Sequence, residues 1–314
     1  MRTLVTGGAG FLGSHISDLL LAHKEHVLVI DNLATGRVRN LEPIDRLEFV
    51  EGTIADRGLV DESFERFRPE VVIHAAAAYK EPDNWQEDIL TNIAGTSYIA
   101  EAARRCGTDR IIYLQTSLCY GHPVMSPIPV EHPQNPFTSY AISKTAGEYY
   151  IMLSGVPYVS LRLANIYGAR HFSGPIPAFY KRLREGKCCH VTDTRRDFTH
   201  VDDFVELIRK ILYEKPDVSG AFNVCTGSDV TIEELHRLMA TTMGLEVTNP
   251  IDVTPPAPDD VATLLLDPSM TRRTFGWTAA TSLDEGLRML IRWFDEHGVQ
   301  KAHTHLKAGR LNDA

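Results

Sequence analysis

The chain has 314 residues, with 32 Lys and Arg against 41 Asp and Glu and a formal charge of −9 at pH 7. That balance excludes a nucleic-acid binder with the usual basic footprint, and 43% hydrophobic with 23% charged residues excludes a disordered or fibrous chain. No apolar run approaches the roughly 20 residues that span a bilayer, so no membrane partner is expected.

Residues 3–5 read as a buried apolar strand, and Leu12, His15, Ile16, Leu19 and Leu20 recur behind it at helical spacing. Further apolar strands are predicted at 27–30, 47–50, 71–73, 111–114 and 158–163, with long helices at about 85–105 and 138–153. Continuous apolar strands separated by helices imply an α/β fold with a doubly wound parallel sheet of Rossmann type, covered on both faces. After about residue 165 the pattern changes. Helices at roughly 175–185, 201–213, 231–243 and 283–297 alternate with short strands and a stretch rich in proline, Pro255, Pro256, Ala257 and Pro258. The expected organisation is a dinucleotide-binding unit at 1–165 and a smaller mixed α/β lobe at 166–314, with a discontinuous boundary and a cleft between them.

The first strand begins at Arg2, so no cleavable leader is expected. Five scattered cysteines give no disulfide framework. A cytoplasmic location is expected on both grounds. His303 and His305 fall in a patternless tail and read as solvated, and no metal is expected.

Gly7, Gly8, Gly10 and Gly13 lie between the first strand and the first helix, with Phe11 and Leu12 among them. This satisfies the G-x-G-x-x-G pattern in its confirming context of strand, turn and helix. Glycine permits the tight turn and the close approach of a pyrophosphate, and the helix start supplies free N–H groups and a positive dipole end. Asp31 ends the second strand, 18 residues beyond Gly13, where a carboxylate takes the adenosine ribose hydroxyls and repels a 2′-phosphate. NAD is therefore expected rather than NADP, with Arg37 the nearest residue that could favour the latter.

Tyr140 and Lys144 form Y-x-x-x-K on a predicted helix, a spacing that places both on one face. A free tyrosine, with a pKa near ~10, is a poor base. A neighbouring ammonium and the positive nicotinamide favour its phenolate and make it a usable acid–base. Thr116 and Ser117 lie at the carboxyl end of the fifth strand, where ligands of open α/β sheets sit. Either hydroxyl could bond a substrate oxygen.

The glycine loop, His74-Ala75-Ala76-Ala77, Thr91-Asn92, the stretch from Thr116 to Gly121, Tyr140 to Lys144, Leu161 to Gly168, Arg196 to Asp203 and Phe222-Asn223-Val224 occur in this order. The sequence thereby resembles the extended short-chain dehydrogenase/reductase family, specifically its NAD-dependent nucleotide-sugar epimerases and dehydratases, from residue 2 to about 297. The resemblance implies Thr116, Tyr140 and Lys144 as the catalytic set. It implies cofactor contacts at Gly7, Gly10, Phe11, Leu12, Gly13, Asp31, Asn32, Thr53, Ile54, Ala75, Ala76, Ala77 and Asn92, with Tyr140 and Lys144 also at the cofactor. Ser117, Asn165 and Arg196 would meet the substrate, the helix near 175–185 would hold the nucleotide base, and two subunits would pair through the two long helices as a four-helix bundle.

The departures narrow the reaction. Dehydratases of the family carry Asp-Glu, or a lone Glu, directly after the Ser/Thr, where this chain has Ser117 and Leu118. The cysteine of some relatives falls at Leu118, which leaves Cys119 out of register and outside the catalytic set. The Arg of a late family loop is replaced in the stretch Ala257-Pro258-Asp259-Asp260. The expected function is a nucleotide-sugar epimerase with bound NAD, acting at C4 of a UDP-hexose or derivative. A dehydratase or 4-ketoreductase is the alternative on the same scaffold, and a non-catalytic dinucleotide sensor is the alternative of another class.

Overall fold

The apolar runs of the first half become strands because their side chains can alternate between two covered faces. The computed structural model describes residues 1–79, 81, 83–246, 251–256 and 260–299. Strands β1 (Arg2–Thr6), β2 (His26–Asp31), β3 (Leu47–Glu51), β4 (Val71–His74), β5 (Arg110–Thr116) and β6 (Tyr158–Leu163) are joined by the strand Gly220–Val224 in one seven-stranded sheet. All its pairings are parallel, and the order is Gly220–Val224, β6, β5, β4, β1, β2, β3. Chain order reverses between β1 and β4, which is where such sheets open a ligand crevice.

Helix α1 (Phe11–Ala22) packs with α7 (Val201–Tyr213) on one face, where Ile16, Leu20, Phe204, Leu207 and Ile211 meet Val5, Val29, Ile73 and Ile112. Helices α2 (Arg57–Phe67), α4 (Thr96–Cys106) and α5 (Ser139–Leu153) cover the other face through Val60, Phe64, Ile99, Ala103 and Ile151 against Leu4, Leu28, Val72 and Tyr113. A short helix α3 (Trp85–Asp88) runs into α4 through Ile89–Gly95, which is wound with π geometry. Helices α6 (Pro175–Arg184), α8 (Ile232–Thr242) and α10 (Leu283–His297) enclose a separate core of Ile176, Phe179, Leu235, Met239, Leu290 and Phe294. Helix α9 (Ser269–Phe275) packs on the strand Gly220–Val224.

The structure differs from the sequence reading in three ways. The parallel sheet has a seventh strand, drawn from beyond residue 165 because β6 would otherwise leave an apolar edge open. Helix 201–213 covers that sheet instead of joining the smaller lobe. Helices α2 and α9 have no counterpart in the reading, since α2 shows only Leu59, Val60, Phe64 and Phe67 among charged and small residues. Three of the four stretch residues 257–260 and the tail with His303 and His305 lie outside the described residues.

Candidate active site

One cleft of about 560 Å³ runs along the carboxyl ends of the strands, from the glycine loop to Arg196. Its first end is made mostly of main chain. Gly7 has φ +67°, and a Cβ there would stand 2.7 Å from the Ala76 nitrogen. A Cβ at Gly13 would collide with the Gly7 carbonyl oxygen, and one at Gly8 would meet Val29. Gly10 begins α1 with no side-chain cap, so the first N–H groups of the helix remain available to an anion. This is a fit for a pyrophosphate.

Asp31 is buried at the end of β2 and accepts from the Ala9 and Leu33 nitrogens at 3.0 and 2.8 Å. Burial pushes its pKa up, and these backbone donors pull it back. Gly36 packs so closely that a Cβ would stand 2.7 Å from the carboxylate. Asn32, Thr53, Ile54 and Ala75 to Ala77 line the same end, with Phe11 and Leu12. Arg37 does not line the cleft, and its guanidinium lies 5.3 Å from the Phe172 ring centroid. The residue that could have favoured a 2′-phosphate is thereby committed elsewhere.

The loop after β4 is held from beneath. Thr6 Oγ1 accepts from the Ala76 nitrogen at 3.2 Å and shares a hydrogen bond with His74 Nδ1 at 2.6 Å. The other ring nitrogen, His74 Nε2, is hydrogen-bonded to Thr96 Oγ1 at 2.9 Å. Burial, and then the nearby Lys144, push the His74 pKa well down, so the ring is neutral.

Thr116 and Tyr140 line the middle of the cleft, with Ser117 and Leu118 beside them. Thr116 ends β5, and its Oγ1 accepts from the Leu118 nitrogen at 3.2 Å. Tyr140 sits in the first turn of α5, a helix capped by Thr138 through the Ala141 nitrogen at 3.2 Å. Lys144, one turn on, is buried behind the cleft wall with Nζ 4.0 Å from the centroid of the Tyr113 ring. The Lys144 carbonyl accepts from the Tyr113 hydroxyl at 2.9 Å and from Gln115 Nε2 at 3.1 Å, which locks α5 to β5.

Burial lowers the Lys144 pKa to about 7, and the charge of Glu148 opposes this. Burial, followed by Tyr79 and Asp88, pushes the Tyr140 pKa upward. These groups favour the neutral phenol of Tyr140, and a positive nicotinamide nearby would favour its phenolate.

At the far end, Asn165 is exposed to the cleft, with Nδ2 donating to the Asp197 carbonyl at 3.1 Å. Arg196 donates to Asp260 Oδ1 at 2.5 Å and to the Arg195 carbonyl at 2.8 Å. Burial lowers its pKa, and Asp260 offsets this. The expected phosphate donor therefore carries a carboxylate partner from the stretch that lacks the family's usual Arg, and the remaining guanidinium donors are what an anion would meet.

Among the expected site residues, Lys144 and Asn92 stand behind the cleft wall. Asn92 is buried, with its amide paired to both the nitrogen and the carbonyl of Ala78, at 2.8 and 3.0 Å. The structure adds Tyr79, Glu87 and Thr91 to the wall beside Tyr140, and His190, Thr192 and Thr194 near Arg196. Apart from Thr91, which stands in the Thr91-Asn92 match, none of these carries a short-range motif, so only the fold gathers them. His171 lines the cleft and stacks on Phe11 at 4.5 Å, whereas His122 stacks on Phe137 away from it. Cys119 is fully buried, and its thiol pKa is pushed up to about 12 by burial, which removes it from chemistry.

Comparison with known proteins agrees with this geometry. The model of the NAD dependent epimerase/dehydratase family matches residues 3–225. UDP-glucose 4-epimerase of Mycolicibacterium smegmatis is 34% identical, over 94% of this chain and 98% of that protein. The Bordetella bronchiseptica enzyme WbmG, solved in complex with NAD and UDP, is 44% identical with a TM-score of 0.90, over 97% of each chain. UDP-glucose 4-epimerase of Thermotoga maritima, solved with UDP-glucose, is 31% identical with a TM-score of 0.86, over 94% of this chain and 99% of that one. With the cleft, the glycine loop and the tyrosine–lysine helix in place, the chain belongs to the NAD dependent epimerase/dehydratase family.

Proposed function

We propose that the protein is a nucleotide-sugar 4-epimerase that works with bound NAD on a UDP-hexose or a derivative. The observation that carries this reading is the order of groups along one cleft: the glycine loop and Asp31, then Thr116 and Tyr140, then Asn165 and Arg196. The name of the Mycolicibacterium smegmatis relative and the NAD and UDP held by WbmG support it.

In this reading Tyr140 takes the proton of the sugar hydroxyl at C4, and Thr116 orients or relays it. Lys144 grips the nicotinamide ribose, while Asn165 and Arg196 hold the diphosphate as a neutral and a charge-assisted donor respectively. NAD, held by the glycine loop and Asp31, would supply the redox chemistry as a reversible hydride acceptor for the sugar ring. Tyr140 then gives the proton back. A dehydratase needs a carboxyl acid or base directly after Thr116, and Ser117 and Leu118 offer none. Of the acidic residues along the cleft, Asp31 is bonded to main chain, Asp260 is paired with Arg196, and Glu87 accepts from Asn84 Nδ2.

The test is incubation with UDP-, GDP-, dTDP- and CDP-sugars, followed by NMR and mass spectrometry of the products. A product of unchanged mass, inverted at C4, is expected without added NADH. Loss of one water would overturn epimerisation, and stoichiometric use of NADH would point to the ketoreductase.

The division into an NAD-binding unit at 1–165 and a nucleotide-sugar-binding unit at 166–314 belongs to the same reading, with a discontinuous boundary that leaves α7 and the strand Gly220–Val224 with the first unit. So do a cytoplasmic location and a homodimer. No helix among the described residues is long and apolar enough to cross a membrane. The dimer is supported by apolar side chains left open on the long helices: Ile142 is 49% exposed, Tyr149 56% and Leu153 76%, with Ile89 and Leu90 nearby.

A further inference from the structure

Behind Tyr140 lies a carboxylate that the proposed reaction does not use. Asp88 ends α3, is 3% exposed, and its Oδ2 accepts the Ser139 hydroxyl at 2.6 Å. The groups that act on it are burial, the Ser139 hydroxyl and the like charge of Glu87, with no cation among them. A carboxylate taken out of water without a cation is costly, and such groups are retained where they have work to do.

Four residues on, Asn92 Nδ2 donates to Ser143 Oγ at 3.0 Å, and Ser143 Oγ donates to the Tyr140 carbonyl at 2.9 Å. Ser139 and Ser143 bracket Tyr140 on α5, one residue before it and three after. Asp88 and Asn92, four residues apart, lie on one face of the winding chain and both meet α5. The segment Ile89–Gly95, which holds Asn92, has π geometry. Asn92 also holds Ala78, tying the loop after β4 to the same helix.

The groups that face Tyr140 come from three elements besides its own. Tyr79, on the loop after β4, has its ring centroid 6.4 Å away. Tyr113 approaches from β5, Asp88 from α3, and Lys144 from α5 itself. Among these, Asp88 is the anion and Lys144 the cation. An acid–base group must return its proton as readily as it takes it. A phenolate stabilised by a nicotinamide would be a reluctant donor, and a fixed negative charge beside it restores the balance.

We propose that Asp88 is a positioning residue for Tyr140: with Asn92 it clamps the first turn of α5 on both sides of the tyrosine, and its charge opposes loss of the Tyr140 proton. The inference rests on the reading of Tyr140 as the acid–base.

The test uses the NAD-loaded protein and a nucleotide sugar that the wild type turns over. Asp88→Asn keeps an acceptor for Ser139 and removes the charge. Ser139→Ala keeps the charge and removes the bond, and Asp88→Ala removes both. The readouts are the pH profile of kcat and an ultraviolet difference titration of the phenolate, with Tyr140→Phe as the blank. In Asp88→Asn the acidic limb of kcat and the phenolate titration should both move to lower pH by about 0.5–1 unit, with KM unchanged. Ser139→Ala should lose about three- to tenfold in kcat, the value of one hydrogen bond, with the limb unmoved. Asp88→Ala should show both effects. An Asp88→Asn profile that superimposes on the wild type overturns the electrostatic role, and wild-type kcat in both alanine variants overturns the clamp. Wild-type turnover by Tyr140→Phe would sink the acid–base reading and this inference together. An inert Tyr140→Phe beside an unmoved Asp88→Asn sinks the inference alone.

Discussion

At the glycine-loop end of the cleft the surface is main chain brought close by glycine, whereas at the Arg196 end it is side chains held by partners distant in sequence. Gly7, Gly8 and Gly13 work by what they lack, since a Cβ at any of the three would strike a neighbour. Arg196 and Asn165 work by what they carry, and each is aimed by a partner, Asp260 for one and the Asp197 carbonyl for the other. Between the two lies Tyr140, on a helix locked to β5 through the Lys144 carbonyl. The first end tolerates almost no substitution and needs no partner. The second can change residue by residue, which suits a scaffold that serves many sugars.

The largest effect should come from the middle. Tyr140→Phe is expected to lower kcat by about 10²–10⁴-fold while bound NAD per subunit stays at the wild-type level, as removal of one positioned acid–base group does. Steady-state kinetics with extraction and mass analysis of the bound nucleotide checks both halves, and near-normal turnover would move the base elsewhere. Next in size, Gly13→Ala drives a methyl group into the Gly7 carbonyl. Strain of this kind costs on the order of 1–3 kcal/mol, so NAD retention through gel filtration should fall about tenfold or more. An alanine variant that holds NAD as well as the wild type would show that the loop is not a close-packed cradle. The smallest of the three is Arg196→Ala, which should raise KM for the nucleotide sugar about tenfold with kcat and NAD content little changed, the signature of lost uniform binding. If kcat fell instead, the two ends of the cleft would be less separate than their construction suggests.

The same contrast explains what the sequence made legible. The glycine loop, Asp31 and the Tyr140–Lys144 spacing are constraints within a few residues of chain, so they survive as patterns. The strands of β1 to β6 were equally readable, because burial on both faces demands unbroken apolar runs. The seventh strand was not, since Gly220–Val224 declares its place only through β6, some 60 residues earlier. The Arg196–Asp260 pair, the π-wound turn at Ile89–Gly95 and the gathering of Tyr79 and Glu87 at the cleft wall are likewise long-range facts with no local signature. The buried setting of Tyr140 and Lys144 has no signature for a different reason: spacing gives the neighbour but not the burial.

The returning strand has a consequence for how the protein comes into being. During synthesis β1 to β6 emerge first, but they cannot close their sheet until residues 220–224 have followed. The apolar face of α1 likewise waits for Phe204, Leu207 and Ile211. Contacts of such sequence separation form late and slowly. A nascent chain stalled near residue 165 therefore presents an unpaired β6 edge and an uncovered sheet face, the features by which incomplete α/β units aggregate. The smaller lobe, whose first helix α6 precedes that strand, is thus threaded through the folding of the larger one.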